Sequence, residues 1–275
     1  IINGTCNYVL TRMRDAGISL AAAIAEAQEK GYAEAEPSLD VDGHDAAHKL
    51  VVLAMLAFGA RVDHRQVSVE GIRGLDEVDQ RFAERFGYTL KHLAIGRDRG
   101  EAIELRVHPA LVPKSSVLAN VHGVLNAVLL EGRSLGPCLV YGRGAGDLPT
   151  AVSVVSDVLD VARSLVAGVA GLQTRAISMA PRPLLPMSEV RARYYLRFSV
   201  ADQPGVMARL AGPLGDAGVS IEQMVQTGVP EGDSPVDVVM ITHTAREGAI
   251  REALARIEAD TFLVAPPRLL RIEER

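Results

Sequence analysis

The chain of 275 residues contains no tryptophan, and aromatic residues make up only 4% of it. Proteins that bind single-stranded nucleic acids stack the bases on aromatic side chains, so this scarcity argues against such a surface. The formal net charge is -5 at pH 7, which leaves no excess of basic residues for nucleic acid or an anionic membrane. We therefore expect small molecules or other proteins as partners.

Cysteines and long apolar runs are also scarce. The two cysteines, Cys6 and Cys138, lie far apart, and a chain of this size needs no disulfides, so we expect a reducing cytoplasm. The longest apolar runs, 50–60 and 158–172, are shorter than the roughly 20 residues that span a bilayer. The chain begins IINGTC, with neither Met nor a signal peptide, and we expect it to be part of a longer protein.

What is present indicates a folded protein, because 48% of the residues are hydrophobic and 23% are charged. Apolar spacing predicts helices over about 2–13, 19–30 and 43–58, with caps near Asn3 or Thr5 and at Ser19. β-like runs cover 66–71, 89–97, 102–109 and 120–131, with a helix over 78–86. This order predicts an α+β fold with a mixed sheet that carries its helices on one face.

The last part of the chain has a different organisation. The proline-rich segment 177–190 predicts a linker, since proline can neither continue a helix nor donate to a sheet. We place a first domain at 1–176, the linker at 177–192 and a second domain at 193–275. Strand and helix patterns in the second domain follow the order βαββαβ, as in ferredoxin-like folds.

The acidic stretch GYAEAEPSLDVDGHDAAHKL, residues 31–50, leads into a helix that is otherwise nearly all apolar. Asp45 and Lys49 are four residues apart and share a helix face. They form either an ordinary ion pair or, at the floor of a cleft, a pair that handles a proton. The other carboxylates form a solvated surface, a cation site or a receptor for a substrate ammonium.

Within that stretch, HDAAH resembles the zinc-binding HExxH helix, with His44 and His48 on one face. A third ligand at a recognised spacing is missing, so we expect no metal site and regard a zinc hydrolase as a weaker alternative.

A glycine-rich turn, GRGAGDLPTA, precedes a helix predicted to reach about residue 172. Exposed amides at a helix start attract anions, so Gly144 and Gly146 are candidate cofactor contacts. The turn is not the dinucleotide fingerprint, and a plain tight turn explains its glycines equally well.

Two long segments, INGTCNYVLTRM and EAQEKGYAEAEPSLDVDGHDAAHKLVVLAMLAFG, resemble the substrate-binding region of homoserine dehydrogenases, where GTxNYIL precedes GYAEADPxxDxxGxDAAxKLxILA. The turn GRGAGDLPTA is similar to a later segment of that family. The resemblance covers about 1–172 and implies hydride transfer between NAD or NADP and the pair aspartate semialdehyde and homoserine. The family's dinucleotide-binding domain, which holds most of the cofactor, is not among these 275 residues, so we expect the chain alone to have little or no activity.

The resemblance also implies roles for individual residues. Lys49 and Asp45 would move a proton at the reacting oxygen, and Glu34 and Asp40 would hold the substrate amino group. Cys6 replaces the family's usual Thr or Ser, and we expect this small side chain to be tolerated. The positions that match the family's substrate-binding residues are Gly4, Thr5, Tyr32, Glu34 and Asp40.

The segment DQPGVMARLAGPLGDAGVSIEQMVQ, residues 202–226, resembles the ACT domain, a βαββαβ module that binds amino acids. This resemblance implies an effector site, with threonine as the expected ligand, near Asp202, Gly205 and Gly218. A regulatory module that binds an amino acid without catalysis is therefore the alternative to an enzyme. ACT domains associate side by side, so we expect a homodimer or homotetramer.

Overall fold

The computed structural model describes residues 1–169, 179–227 and 235–274. The helices in these ranges are α1 (Gly4–Ala16), α2 (Leu20–Glu29), α3 (Ser38–Val41), α4 (His44–Phe58), α5 (Glu77–Arg85), α6 (Asp147–Val166), α7 (Val206–Asp216) and α8 (Glu247–Glu258). The strands are β1 (Ala60–Arg61), β2 (Ser68–Val69), β3 (Tyr88–Asp98), β4 (Ile103–Pro113), β5 (Leu125–Gly132), β6 (Gly136–Arg143), β7 (Ala180–Pro181), β8 (Arg191–Val200), β9 (Ile221–Thr227), β10 (Val236–Thr242), β11 (Ala245–Arg246) and β12 (Arg268–Ile272).

The first helices begin where their caps were predicted. The Asn3 side chain accepts a hydrogen bond from the Cys6 amide at 2.8 Å, and Ser19 accepts one from Ala22 at 3.2 Å. These side chains satisfy backbone donors that the first turn of a helix leaves unpaired. The long helix α6 ends at Val166, before the predicted residue 172, and residues 170–172 lie outside the described ranges.

The sheet of the first half is built around β4, which is buried along nearly its whole length. β3 pairs with β4 antiparallel over eleven residues, and β2 pairs with it in parallel at Ser68 and Val69. α4 packs against β4 through an apolar cluster that includes Leu50, Leu105 and Val107. Only two residues of the predicted strand 66–71 pair in this way.

The second half has the predicted βαββαβ order, formed by β8, α7, β9, β10, α8 and β12. Its strands lie antiparallel in the order β9-β10-β8-β12. β8 begins at Arg191, two residues inside the predicted linker. The α+β class with a ferredoxin-like second part is therefore confirmed.

The two halves share one sheet, because β12 also pairs in parallel with β4 at Ala110 and Leu111. Successive side chains of β8 point to opposite faces of the sheet and pack in two different hydrophobic clusters. Tyr194, Leu196 and Phe198 pack with α7 and α8, whereas Tyr195 packs in the cluster of α1 and α5. Helices therefore cover both faces of the sheet where the two halves share it. The sequence predicted helices on one face of the first half's sheet, and the second face is covered by α7 and α8.

The proline-rich segment is attached to the first half. β7 pairs in parallel with β1, and the Ile103 amide donates to the Pro183 carbonyl at 2.9 Å. The Leu185 amide donates to the Ile103 carbonyl at 2.8 Å. Residues 177 and 178 of the predicted linker lie outside the described ranges.

A hairpin and a helix project from the first half. β5 and β6 pair with each other along their full lengths, from Leu125 opposite Arg143 to Gly132 opposite Gly136. α6 follows, and none of its residues is buried. The sequence patterns did not predict β6: residues 136–140 received no assignment, and residues 141–143 were placed in the glycine-rich turn. No helix in the described ranges is long and apolar enough to cross a membrane.

Candidate active site

A hydrogen-bonded row of four side chains joins the start of α1 to the start of α4. The Asn3 amide donates to Asp40 Oδ1 at 2.6 Å and to Asp45 Oδ2 at 2.8 Å. Lys49 donates to the same Asp45 oxygen at 2.7 Å and to the Ile2 carbonyl at 3.3 Å. The predicted residues Asp40, Asp45 and Lys49 thus lie together, with half of the Lys49 side chain exposed.

Close backbone packing fixes this row. Gly43 begins α4 in the left-handed region at φ 88, and a Cβ there would lie 3.2 Å from His92 Nε2. His92 is buried and donates from Nε2 to the Glu70 carbonyl at 3.1 Å, and burial lowers its pKa to about 4. A neutral histidine therefore supports the helix start that carries Asp45 and Lys49.

Thr5 and Tyr32 are also brought to this surface. The Thr5 hydroxyl donates to the Tyr32 carbonyl at 2.7 Å, and the Tyr32 ring packs edge-on against Tyr8 with centroids 4.9 Å apart. At Gly4 a Cβ would lie 2.8 Å from the Val124 carbonyl, so this position has no room for a side chain. The first turn of α1 is therefore held against both the acidic loop and the strand β5.

The carboxylates of the acidic loop have separate environments. Asp42 pairs with Arg73, and Glu36 accepts from Ser38. Glu34 is exposed, and its side chain makes no hydrogen bond or ion pair with any residue in the described ranges. Glu34, Glu36 and Asp40 thus each keep at least one acceptor oxygen free of hydrogen bonds from the described residues, and Asp40 among them belongs to the row.

Cys6 is buried beneath the site. Its Sγ donates to the Asp40 carbonyl at 3.2 Å, which is a bond that a Ser or Thr hydroxyl would also make. Burial, with a smaller contribution from Asp40, raises the pKa of this thiol well above its usual range. The thiol is therefore a structural donor and a poor nucleophile.

The glycine-rich turn reaches the same region through Asn126 of β5. A Cβ on Gly144 would lie 1.9 Å from Asn126 Nδ2, and a Cβ on Gly4 would lie 3.5 Å from Asn126 Oδ1. Asn126 Oδ1 is buried and has no hydrogen-bond partner among the described residues. The structure thus brings the candidate cofactor residue Gly144 and the candidate substrate residue Gly4 to the same Asn126 side chain, while Gly146 precedes α6 at φ 120.

The HDAAH histidines are both exposed on α4. The His48 ring packs edge-on against His64, with centroids 4.8 Å apart. Within the described ranges, no group of three or more His, Cys, Asp or Glu side chains is arranged to hold a metal ion.

The three candidate effector residues lie around α7. Asp202 lines a small cleft with Gln226, whose amide donates to Asp202 Oδ1 at 3.4 Å. Gly205 begins α7 next to this cleft, whereas Gly218 follows its other end. The structure therefore groups Asp202 with Gly205 and separates them from Gly218 by the length of the helix.

Sequence reasoning missed two residues of the site, Asn3 as a bridge and Asn126 as a buried acceptor. The capping pattern identifies Asn3 as a cap, but its carboxylate partners lie 37 and 42 positions away in the sequence. Asn126 lies in a strand pattern, where a polar residue is normally read as solvent-facing. No local signal marks either role.

Two family models match the chain: homoserine dehydrogenase over residues 1–159 and ACT domain over residues 194–259. A homoserine dehydrogenase of Neisseria gonorrhoeae is 42% identical over 277 residues, which cover 99% of this chain and 63% of that protein. One of Pseudomonas aeruginosa is 41% identical and is matched over 64% of its length.

Among solved structures, a homoserine dehydrogenase from Thiobacillus denitrificans superposes with a TM-score of 0.91 at 42% identity. The match covers all of this chain and 63% of that one. The chain thus spans less than two thirds of the length of the relatives to which it is similar.

Proposed function

Because the chain belongs to the homoserine dehydrogenase family, we propose that it binds the substrate of an enzyme that interconverts L-homoserine and L-aspartate 4-semialdehyde, in the biosynthesis of threonine, methionine and isoleucine. The observation that supports this proposal is the hydrogen-bonded row of side chains formed by Asp40, Asn3, Asp45 and Lys49. The carboxylates of the row can bind the ammonium group of this amino-acid substrate, and the lysine can donate to its aldehyde or alcohol oxygen.

Lys49 is the proposed proton donor to the carbonyl oxygen of the aldehyde, and it receives that proton back in the reverse direction. Its ammonium has three donors, of which Asp45 and the Ile2 carbonyl occupy two among the described residues. Asp45 orients the ammonium through this hydrogen bond. A reaction that turns a carbonyl into an alcohol needs such a donor at the oxygen.

Asp40 and Glu34 are the proposed acceptors for the substrate ammonium. Asn3 occupies one oxygen of Asp40, and the Glu34 carboxylate is free of contacts within the described ranges. Gly4, Thr5 and Tyr32 line the same surface and would position the substrate backbone. A hydrogen-bonded carboxylate resists reorientation when the substrate arrives, which lowers the entropic cost of binding.

The nicotinamide cofactor, NAD or NADP, would donate or accept the hydride. The glycine-rich turn fits a contact with such a group, because Gly144 lies against Asn126 beside Gly4. The side-chain oxygen of Asn126 is buried and has no hydrogen-bond partner among the described residues. Gly144 and Gly146 are the residues of this chain that we propose to line the cofactor's reactive end.

The test is homoserine binding to this chain by calorimetry. Homoserine-dependent reduction of NAD and NADP is measured in a protein that joins this chain to the family's dinucleotide-binding domain, because we expect the chain alone to have little or no activity. We expect saturable binding of homoserine. Lys49→Met is expected to lower turnover by about 100-fold or more while changing homoserine affinity much less, since it removes a proton donor. The control is Lys114→Met, which alters another exposed lysine, far from the row in sequence.

Failure of homoserine to bind the wild-type protein would contradict the substrate assignment. Full turnover by Lys49→Met would contradict the role of Lys49 but leave the substrate assignment in place.

We also propose that the ACT domain binds an amino-acid effector such as threonine. The observation that favours this is the cleft at Asp202 beside the start of α7 at Gly205. Threonine should raise the melting temperature of the wild-type protein, and Asp202→Ala should remove the rise. An unchanged melting temperature at saturating threonine would rule this effector out.

We also propose that the chain forms a homodimer or homotetramer and that it works in the cytoplasm. No strand in the described ranges pairs with the outer edge of β6, and this strand exposes Val140 and Tyr141. Open strand edges with exposed apolar side chains favour association. Light scattering should give a dimer mass or a multiple of it, and Val140→Lys should shift the population toward monomer.

A further inference from the structure

A cavity of about 690 Å³ lies between the first half and the proline-rich segment. None of the residues assigned above to the substrate, cofactor or effector lines it. We propose that it binds a small organic acid, with the carboxylate at Arg61 and Arg106 and an aliphatic body against the proline-rich segment. Its volume is typical of small-molecule sites.

Arg106 of β4 provides a buried cation in the cavity wall. Its side chain is only 1% exposed, and it donates from Nε to Glu104 at 2.8 Å and from Nη1 to Glu273 at 2.6 Å. Its Nη2 has no hydrogen-bond partner among the described residues. Buried donors are nearly always paired in proteins, so this nitrogen calls for an acceptor that the described residues do not supply.

The rim of the cavity adds uncommitted polar groups. Arg61 is exposed on β1 and forms no ion pair within the described ranges. The side chains of Gln66 and Ser68 likewise make no hydrogen bond to described residues. An arginine fork with neighbouring amide and hydroxyl donors matches the geometry of a carboxylate.

The charges around the cavity favour an anion. Glu104 is the one acidic residue in the lining, and its carboxylate already accepts from Arg97, Arg99 and Arg106. Arg182, also in the lining, is held by Asp98 at 2.8 Å and 3.0 Å. Arg61 and Arg106 are therefore the cations with donors to spare for a ligand.

The remaining wall is apolar and held in place. The proline-rich segment that forms this wall is fixed against the sheet by backbone hydrogen bonds to Ile103 and by the pairing of β7 with β1. A bare inorganic anion would leave this wall unused, whereas an acid with a branched aliphatic chain would bury it. The apolar lining residues include Leu105, Pro183, Leu184, Leu185, Pro186 and Met187.

The test is calorimetric titration of the purified protein with 4-methylpentanoate. Two probes separate the parts of the proposal: 4-methylpentanamide keeps the aliphatic body without the charge, and inorganic phosphate keeps the charge without the body. We expect saturable binding of the acid and at least tenfold weaker binding of the amide and of phosphate. Arg61→Gln should weaken binding of the acid about tenfold, because it removes a charge-assisted hydrogen bond.

Arg81→Gln is the matched control, since it removes an exposed arginine from α5, outside the cavity, and should leave the affinity unchanged. Arg61 is chosen over Arg106 because its exposed side chain is not needed for folding. Bound acid should also slow amide exchange in residues 184–190. The proposal is overturned by the absence of saturable binding, by equal affinity in Arg61→Gln, or by phosphate or the amide binding as tightly as the acid.

Discussion

The side-chain amide of Asn3 makes hydrogen bonds through both of its ends. Its oxygen caps α1, and its nitrogen joins Asp40 to Asp45. The cap follows from the sequence, because Asn is a preferred cap and the helix pattern begins directly after it. The bridge depends on a donor between two carboxylates, so replacing the donor should affect the site without removing the cap.

Asn3→Asp keeps an oxygen for the cap but puts a third carboxylate beside Asp40 and Asp45. The pKa of the introduced carboxyl should be raised in the folded state by these neighbours. The folded state then binds more protons than the unfolded state above about pH 4, so stability falls as the pH rises through that window. We expect a loss of about 2 to 3 kcal/mol at pH 7.5 and little loss at pH 4.5, measured by urea unfolding.

Asn3→Ala serves as the control for this substitution. It removes both the cap and the bridging donor without adding a charge, so its cost should change less between the two pH values than that of Asn3→Asp. An equal loss at both pH values in Asn3→Asp would show that the carboxylates do not act on this position.

The glycine-rich turn allows a second test at the residue scale. Gly144→Ala would place a methyl group 1.9 Å from Asn126 Nδ2 and should displace that side chain, at a cost of about 1 to 3 kcal/mol. Gly142→Ala meets open space and should change stability by less than about 0.5 kcal/mol. Urea unfolding of both variants checks the difference, and equal stabilities would argue against the contact with Asn126.

At the scale of elements, β3 supports α4 through His92. The folded pKa of about 4 lies below the unfolded value, so the unfolded state binds more protons between about pH 4 and 6.5. The stability from neutral His92 is therefore complete above about pH 6.5 and is lost as the pH falls toward 4, by roughly 3 kcal/mol.

His92→Gln keeps a donor for the Glu70 carbonyl but cannot titrate. We expect its unfolding free energy to fall less between pH 6.5 and 4.5 than that of the wild type. His64→Gln alters an exposed histidine and should keep the wild-type slope. Parallel slopes for the wild type and His92→Gln would contradict the assignment.

The elements differ in how far the sequence predicts them. α2 and the βαββαβ order follow from caps, glycine stops and apolar periodicity, which are local signals. β6 was missed because its last residues, 141–143, belong to the segment that was interpreted as the glycine-rich turn. The pairing of β12 with β4 joins Arg271 to Ala110 across most of the chain, and no local pattern encodes such a register.

At the scale of the whole molecule, the shared sheet joins the first half to the ACT domain. A buried ion network reinforces that junction. Arg271 of β12 is fully buried and donates to Glu70 at 2.8 Å and 2.9 Å and to Glu247 at 2.8 Å. Glu70 follows β2, and Glu247 begins α8, so one guanidinium connects both halves.

This junction predicts that the two halves unfold together. Arg271→Met would leave Glu70 and the buried Glu247 without their main partner and should cost about 3 to 5 kcal/mol. Arg251→Met removes an exposed arginine from the same carboxylates and should cost less than about 1 kcal/mol.

Hydrogen exchange in increasing urea, followed in β3 and in β10, should show one transition in the wild type and in Arg251→Met. Arg271→Met should lower the midpoint in both strands, because β4 and β12 lose their common support. Loss of protection in β10 at a lower urea concentration than in β3 in the wild-type protein would mean that the ACT domain is an independent folding unit despite the shared sheet.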